Sequence, residues 1–211
     1  MKIKKFILNP LEVNCYLIWS EDEAIIIDPG DEAEEILDIV RKLNLKVKMI
    51  INTHGHIDHI YGNKFFKEAF KTKIAIHKLD AEFLSSNLYP DFLINLFPNY
   101  KKTEADIFLL GGEKIKLGKE KLLIIHTPGH SPGSISIYTK GILFSGDTLF
   151  KENVGRVDIP YASFYELEKS IKEKLFSLPD DTIVYPGHGE ETSIKYEKEF
   201  NIFFGNYGKG V

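Results

Sequence analysis

The chain of 211 residues fits one domain spanning 1–211, large enough to bury a core without disulfides. Its 43% hydrophobic and 27% charged residues exclude a disordered, collagenous or coiled-coil chain, and a net charge of −4 supplies no basic field for nucleic acid. The lone cysteine, Cys15, excludes an intrachain disulfide and a thiolate-rich zinc site, so it reads as a buried small hydrophobe and any metal must be held by imidazole and carboxylate.

Met1 to Leu8 opens with lysines, but Asn9, Pro10, Glu12 and Asn14 interrupt the apolar run that a signal peptide needs, so the segment reads as a first strand. No stretch approaches the ~18 apolar residues of a membrane helix, and the expectation is a cytoplasmic chain without membrane contact. Short Ile/Leu/Val runs predict strands at Lys5–Leu8, Cys15–Trp19, Ala24–Ile27, Met49–Ile51, Ile74–Ile76, Lys114–Leu117, Leu122–Ile125, Ser134–Tyr138, Ile142–Phe144 and Thr182–Tyr185. Between them, apolar residues at helical spacing predict a helix over Asp31–Leu43, capped by Asp31, and others near Asn63–Phe70, Asp80–Ser86, Phe164–Phe176 and Ile194–Phe200. Asn87–Asp106, with Pro90, Pro98 and scattered aromatics, has no clear period and reads as an irregular or partly helical insertion, either a lid or a packed loop. Hairpin and β-helix-β spacings together predict an α/β fold, a mixed sheet system covered by helices.

Directly after the strand Met49–Ile51 stands Thr53-His54-Gly55-His56-Ile57-Asp58-His59, four metal-ligating side chains in one short loop. Shuffling this composition would produce that pattern on the order of once in a few thousand trials. In an extended loop His54 and His56 point to one side, while Asp58 and His59, entering the next helix, point elsewhere, so one loop can serve two adjacent ions. Three further candidates follow apolar strands in Gly/Pro-shaped turns: His130 after Pro128-Gly129, Asp147 after Ser145-Gly146, and His188 after Pro186-Gly187. Such turns present catalytic groups at a sheet edge with little freedom. His77 and His126 match no such position and read as structural or exposed.

In order, His-x-His-x-Asp-His, Gly-His, Gly-Asp and Gly-His resemble the metallo-β-lactamase-fold hydrolases over nearly the whole chain. The stretches Thr127–Ser134, Phe144–Phe150, Val154–Asp158 and Pro186–Gly189 are similar to the glyoxalase II-like branch, the hydroxyacylglutathione hydrolases. The resemblance implies an αββα sandwich of two mixed β-sheets between helical layers. It implies one ion held by His54, His56 and His130, a second held by Asp58, His59 and His188, and Asp147 bridging them. The two divalent ions would be zinc, with iron or manganese as alternatives. Asp28, in Ile27-Asp28-Pro29-Gly30, matches a turn that in this superfamily lies beside the ligands and would orient a histidine from behind; its other reading is an ordinary turn residue.

The activity so implied is hydrolysis of a small-molecule thioester of the S-2-hydroxyacylglutathione kind by a water ionised between the metals, with Asp58 also orienting that water. The chain departs from glyoxalase II in lacking its C-terminal helical domain that docks glutathione, which leaves Arg156 or the Asn87–Asp106 insertion to contact an anionic substrate. The main rival is a persulfide dioxygenase of the same fold, with one iron on His54, His130 and Asp147. A non-catalytic metal-binding protein is the alternative from outside enzymology. A β-lactamase reading is weakened by the absence of a signal-peptide pattern, and a nuclease reading by the absence of a basic surface.

Overall fold

A computed structural model describes residues 1–86 and 91–206, with side chains at all of these except 91–93. Two six-stranded mixed sheets face each other. The first contains β1 (Lys2–Leu8), β2 (Val13–Ser20), β3 (Glu23–Ile27), β4 (Lys46–Ile51), β5 (Lys73–His77) and β6 (Ile107–Leu109), hydrogen-bonded in that order. Its β1–β2 and β2–β3 pairs are antiparallel and the rest parallel, because helices supply the later crossovers. These helices are α1 (Glu34–Lys42), α2 (Ile57–Ile60) and α3 (Asn63–Phe70), followed by a 3-10 segment at Lys78–Leu84 and α4 (Asp91–Leu96).

In the second sheet lie β7 (Lys114–Leu117), β8 (Glu120–His126), β9 (Ile135–Thr139) and β10 (Ile142–Gly146), then, after a small ribbon of β11 (Leu149–Phe150) and β12 (Asn153–Val154), β13 (Ile183–Pro186) and β14 (Thr192–Ser193). The order across it is β14-β13-β10-β9-β8-β7, with β10–β13 parallel and the rest antiparallel. Helix α5 (Phe164–Lys169) runs into a π-helical turn at Ser170–Leu175, and α6 (Ile194–Phe200) covers the same face. Ser163 and Ser193 cap α5 and α6 by accepting from the backbone N–H of Glu166 and Tyr196.

Alternation along the strands builds the layers. On β2, Tyr16 and Ile18 face the second sheet, where they pack with Ile25, Ile27, Ile124, Ile137 and Phe144. Their neighbours Cys15 and Leu17 face outward onto Ile36, Val40 and Phe66 of α1 and α3. On the far side, Leu143 and Val184 pack against Leu167, Ile171 and Ile194. Helix, sheet, sheet, helix is the expected sandwich, and Cys15 is buried as its composition suggested.

Departures from expectation have local causes. Asp31 does not cap α1: the helix starts at Glu34 with Ala33 at the cap position, and the Asp31 carboxylate instead accepts from the Glu32 N–H. Glu34 and Glu35 in the first turn supply the favourable negative charge there. The helix expected over Asp80–Ser86 is a 3-10 segment displaced to Lys78–Leu84, because the Asp80 side chain is buried and tied to other loops. Within the insertion, 87–90 lies outside the described residues. Its remainder packs onto the body, with the Tyr100 hydroxyl donating to the Leu84 carbonyl and the Asp106 carboxylate accepting from the Ile74 N–H and Lys67. Strand β6, absent from the sequence reading, is three residues long and leaves Phe108 exposed, so it offers almost no alternation to detect. No helix among the described residues is long and apolar enough to cross a membrane.

Candidate metal centre

Seven side chains expected to share a site converge at one edge of the sandwich. His54 and His56 come from the loop after β4, Asp58 and His59 from α2, His130 from the turn after β8, Asp147 from the end of β10 and His188 from the turn after β13. The two sheets are laced together here. The Ile135 N–H donates to the Thr53 carbonyl at 2.8 Å and the Asn14 N–H to the Gly187 carbonyl at 2.7 Å. Asn14 Nδ2 and the Tyr16 hydroxyl also donate to the Pro186 carbonyl, fixing the turn that carries His188 from the first sheet.

Hydrogen bonds set the tautomers. The Thr53 hydroxyl donates to Asp28, so it must accept from Nδ1–H of His54, which leaves the His54 Nε2 lone pair free. His130 Nδ1 faces the Arg156 carbonyl at 2.9 Å and must donate to it, again freeing Nε2. His56 Nδ1 lies 3.0 Å from His54 Nε2 and 2.9 Å from His130 Nε2. Three ring nitrogens thus crowd one point, where His54 and His130 can offer only lone pairs.

The second group has a carboxylate. His59 Nδ1 faces Asp28 Oδ2 at 3.0 Å, and its Nε2 lies 3.2 Å from His188 Nε2 and 3.6 Å from Asp58 Oδ2. His188 Nε2 lies 3.2 Å from Asp58 Oδ2. Asp147 stands between the groups, 3.4 Å from His59, 3.6 Å from His130 and 3.7 Å from His188. Its Oδ1 is buried with no hydrogen-bond partner, a costly arrangement for a carboxylate unless a cation satisfies it. Donors of the His54/His56/His130, His54/His59/Asp147 and Asp58/His59/His188 groups each lie within 4.8 Å of one another. Crowded lone pairs and an orphaned carboxylate oxygen fit a divalent-metal site; the donor set is the imidazole and carboxylate one that such ions take.

Charge divides the two groups. Burial, then His59 and His56 nearby, holds His54 well below the usual imidazole range, and burial beside His130 takes His56 down to about 3. Burial also opposes charge on His59 and His188, but Asp147 and Asp58 outweigh it and hold both above the usual value. Burial works against ionising Asp58 and Asp147 as well, yet the imidazoles around them, His59 first, keep both below the usual carboxylate range.

Asp28 lies behind this edge, buried, with a left-handed backbone at φ 50° that an aspartate tolerates. Its Oδ1 accepts from the Thr53 N–H and its Oδ2 from the Thr53 hydroxyl and His59, so it braces His54 through Thr53 and His59 directly. Gly187 is needed as glycine, since a Cβ there would sit 2.1 Å from Asp147 Oδ1. The Arg156 side chain is exposed and chelated by Asp158 at 2.9 and 3.0 Å; its main-chain carbonyl, on His130, is what reaches the site. His77 and His126, set aside in the sequence reading, stack at 4.0 Å where β5 and β8 end, His126 donating to the Pro132 carbonyl beside the His130 turn. Asp80, Asn14, Tyr16 and Thr53 were missed as supporting residues.

Comparisons with known proteins give the family. Residues 8–188 match the family model described as the metallo-beta-lactamase superfamily. The chain is 36% identical to hydroxyacylglutathione hydrolase GloC of Haemophilus influenzae, over 96% of this chain and 98% of that one. Among solved structures, the B3 metallo-beta-lactamase BLEG-1 superposes with a TM-score of 0.88 at 32% identity, covering 96% of this chain and 99% of that one. ETHE1 from Myxococcus xanthus gives 0.82 at 26%, covering 99% and 87%. TTHA1623 in a di-iron-bound form gives 0.81 at 33%, covering 95% and 99%. This chain belongs to the metallo-beta-lactamase superfamily.

Proposed function

We propose that the chain is a dinuclear metal-dependent hydrolase of small thioesters, of the S-2-hydroxyacylglutathione class. The observation that carries this reading is Asp147, whose buried Oδ1 makes no hydrogen bond, faces His59 Nε2 at 3.4 Å and lies between two clusters of inward-facing donors. His54, His56 and His130 would hold one divalent ion, Asp58, His59 and His188 the other, and Asp147 would touch both. Ions held so supply Lewis acidity and a water that ionises near neutral pH. The residues of the chain fix the rest: Thr53, Asp28 and the Arg156 carbonyl hold the tautomers that keep lone pairs inward, and Asp58 can hold the water's proton at a carboxylate oxygen. In the net reaction, water adds its oxygen to the thioester carbonyl carbon, the C–S bond breaks, and the thiol leaves with a proton.

The name of the Haemophilus influenzae relative supports the thioester, and the di-iron form of TTHA1623 supports two ions. Metal content of the purified protein, measured with hydrolysis of S-lactoylglutathione, tests the reading. Two metals per chain with thioester hydrolysis is the expected result. One iron per chain, with oxygen uptake on glutathione persulfide and no hydrolysis, replaces it with the dioxygenase. Hydrolysis of a β-lactam amide in preference to the thioester moves the substrate class toward that of BLEG-1.

A further inference from the structure

The 3-10 segment Lys78–Leu84 contributes no ligand, yet it sits against both loops that supply the all-imidazole cluster. Asp80 within it is fully buried. Its Oδ2 accepts from the Gly55 N–H at 2.9 Å, between His54 and His56, and from the Ser131 hydroxyl at 2.6 Å, next to His130. Its Oδ1 accepts from the Gly133 N–H at 2.6 Å, in the same turn as His130. Ser131 is tied in further, its N–H donating to Ser134 Oγ, so the turn is a closed hydrogen-bonded unit hung on one carboxylate. There is no slack, since a Cβ on Gly133 would meet Asp80 Oδ1 at 2.5 Å and a Cβ on Gly55 would meet the Phe83 side chain at 2.6 Å. These two loops come from different sheets, and the carboxylate that reaches their nitrogens, Asp147, lies 3.6 Å from His130 and is shared with the other cluster.

We propose that Asp80 is a positioning residue that locks the His54–His56 loop and the His130 turn at one spacing, and thereby sets metal affinity at this cluster and not at the Asp58/His59/His188 cluster. The proposal rests on the metal-binding reading above. Outer partners of ligands typically tune affinity by 10- to 100-fold, and a carboxylate that braces two ligand loops at once belongs at that scale.

The test is titration of the metal-free chain with Co2+, followed by calorimetry and the visible spectrum of the bound ion. Wild type is expected to take two equivalents. Asp80→Ala is expected to weaken one of them by about 10- to 100-fold and change its spectrum, leaving the other unaltered. The cluster is identified by background: in His188→Ala the full loss persists, whereas in His56→Ala, where the cluster is already broken, Asp80→Ala costs nothing further. Should Asp80→Ala not fold, Asp80→Asn and Ser131→Ala carry the same test with smaller losses of the same selectivity. Equal weakening in both backgrounds, or lower thermal stability with unchanged Co2+ affinity, overturns the role of Asp80. A wild-type chain that takes up no Co2+ overturns the metal reading beneath it.

Discussion

His54, His56 and His130 on one side of Asp147, and Asp58, His59 and His188 on the other, differ by one carboxylate and meet opposite demands. The first cluster is three imidazoles packed at about 3 Å whose carboxylate, Asp147, is shared with the other side; burial keeps protons off His54 and His56, so the scaffold does most to hold the rings together. The second includes a carboxylate, and Asp58 with Asp147 would hold His59 and His188 together as ion pairs even without metal. Neutral donors need rigid bracing from behind, which Thr53, Asp80 and the Arg156 carbonyl supply, while charged donors partly assemble themselves.

The comparison breaks most completely at the residue that joins the halves. Asp147→Ala removes the carboxylate within reach of both clusters, and kcat/KM for the thioester is expected to fall on the order of 10³-fold, with metal content below two per chain. Retained activity with full metal content would make Asp147 dispensable and its role between the two clusters wrong. Asp28→Ala comes next. Because Asp28 braces His59 directly and His54 through Thr53, it should weaken both ions by about 10- to 100-fold, in contrast to Asp80. It should also cost about 3 kcal/mol of stability, since the Thr53 N–H and its hydroxyl lose a charged acceptor in a buried place. Chemical denaturation and Co2+ titration of the same preparation check both.

Much of this site could be read from the chain because four ligands lie in one short loop and the other three each follow an apolar strand in a Gly-shaped turn. Asp28 shared that strand-end position and was found. Asp80 was not: it falls in a segment whose spacing suggests a surface helix, where a carboxylate is expected to meet water. Only the packing of that segment against two distant loops turns it inward. Asn14 and Tyr16 escaped for the same reason, since their partners at Pro186 and Gly189 are about 170 positions away. Strand positions came through well where the apolar run was long, as in β2, and failed for the two- and three-residue strands β6, β11, β12 and β14.

A smaller effect separates the halves by proton competition. His59 and His188 are held above the usual imidazole value, so each keeps its proton to higher pH than an ordinary histidine, and that proton must leave before its nitrogen can bind an ion. Co2+ affinity of the second cluster, read in His56→Ala, should therefore fall as pH is lowered, by up to about tenfold per unit for each proton displaced. With His56 at about 3 and His54 also low, two of the three imidazoles of the first cluster have no proton to displace, so its affinity, read in His188→Ala, should fall less steeply as pH is lowered. Parallel pH profiles for the two variants would erase the distinction between a scaffold-held and a charge-held half.

The smallest effect is expected at Arg156, although the sequence singled it out for an anionic substrate. Its guanidinium is exposed and already engaged in a bidentate pair with Asp158, and a fully exposed pair of this kind is screened by water and contributes little. What the site uses at this position is the carbonyl, which receives Nδ1–H of His130 and is present whatever the side chain. Arg156→Ala should thus leave metal content and kcat unchanged and alter KM for S-lactoylglutathione less than about threefold, the change in binding free energy that such a surface pair represents. A tenfold rise in KM with kcat intact would show that substrate draws the guanidinium away from Asp158, and would place anion recognition on the His130 side of the site.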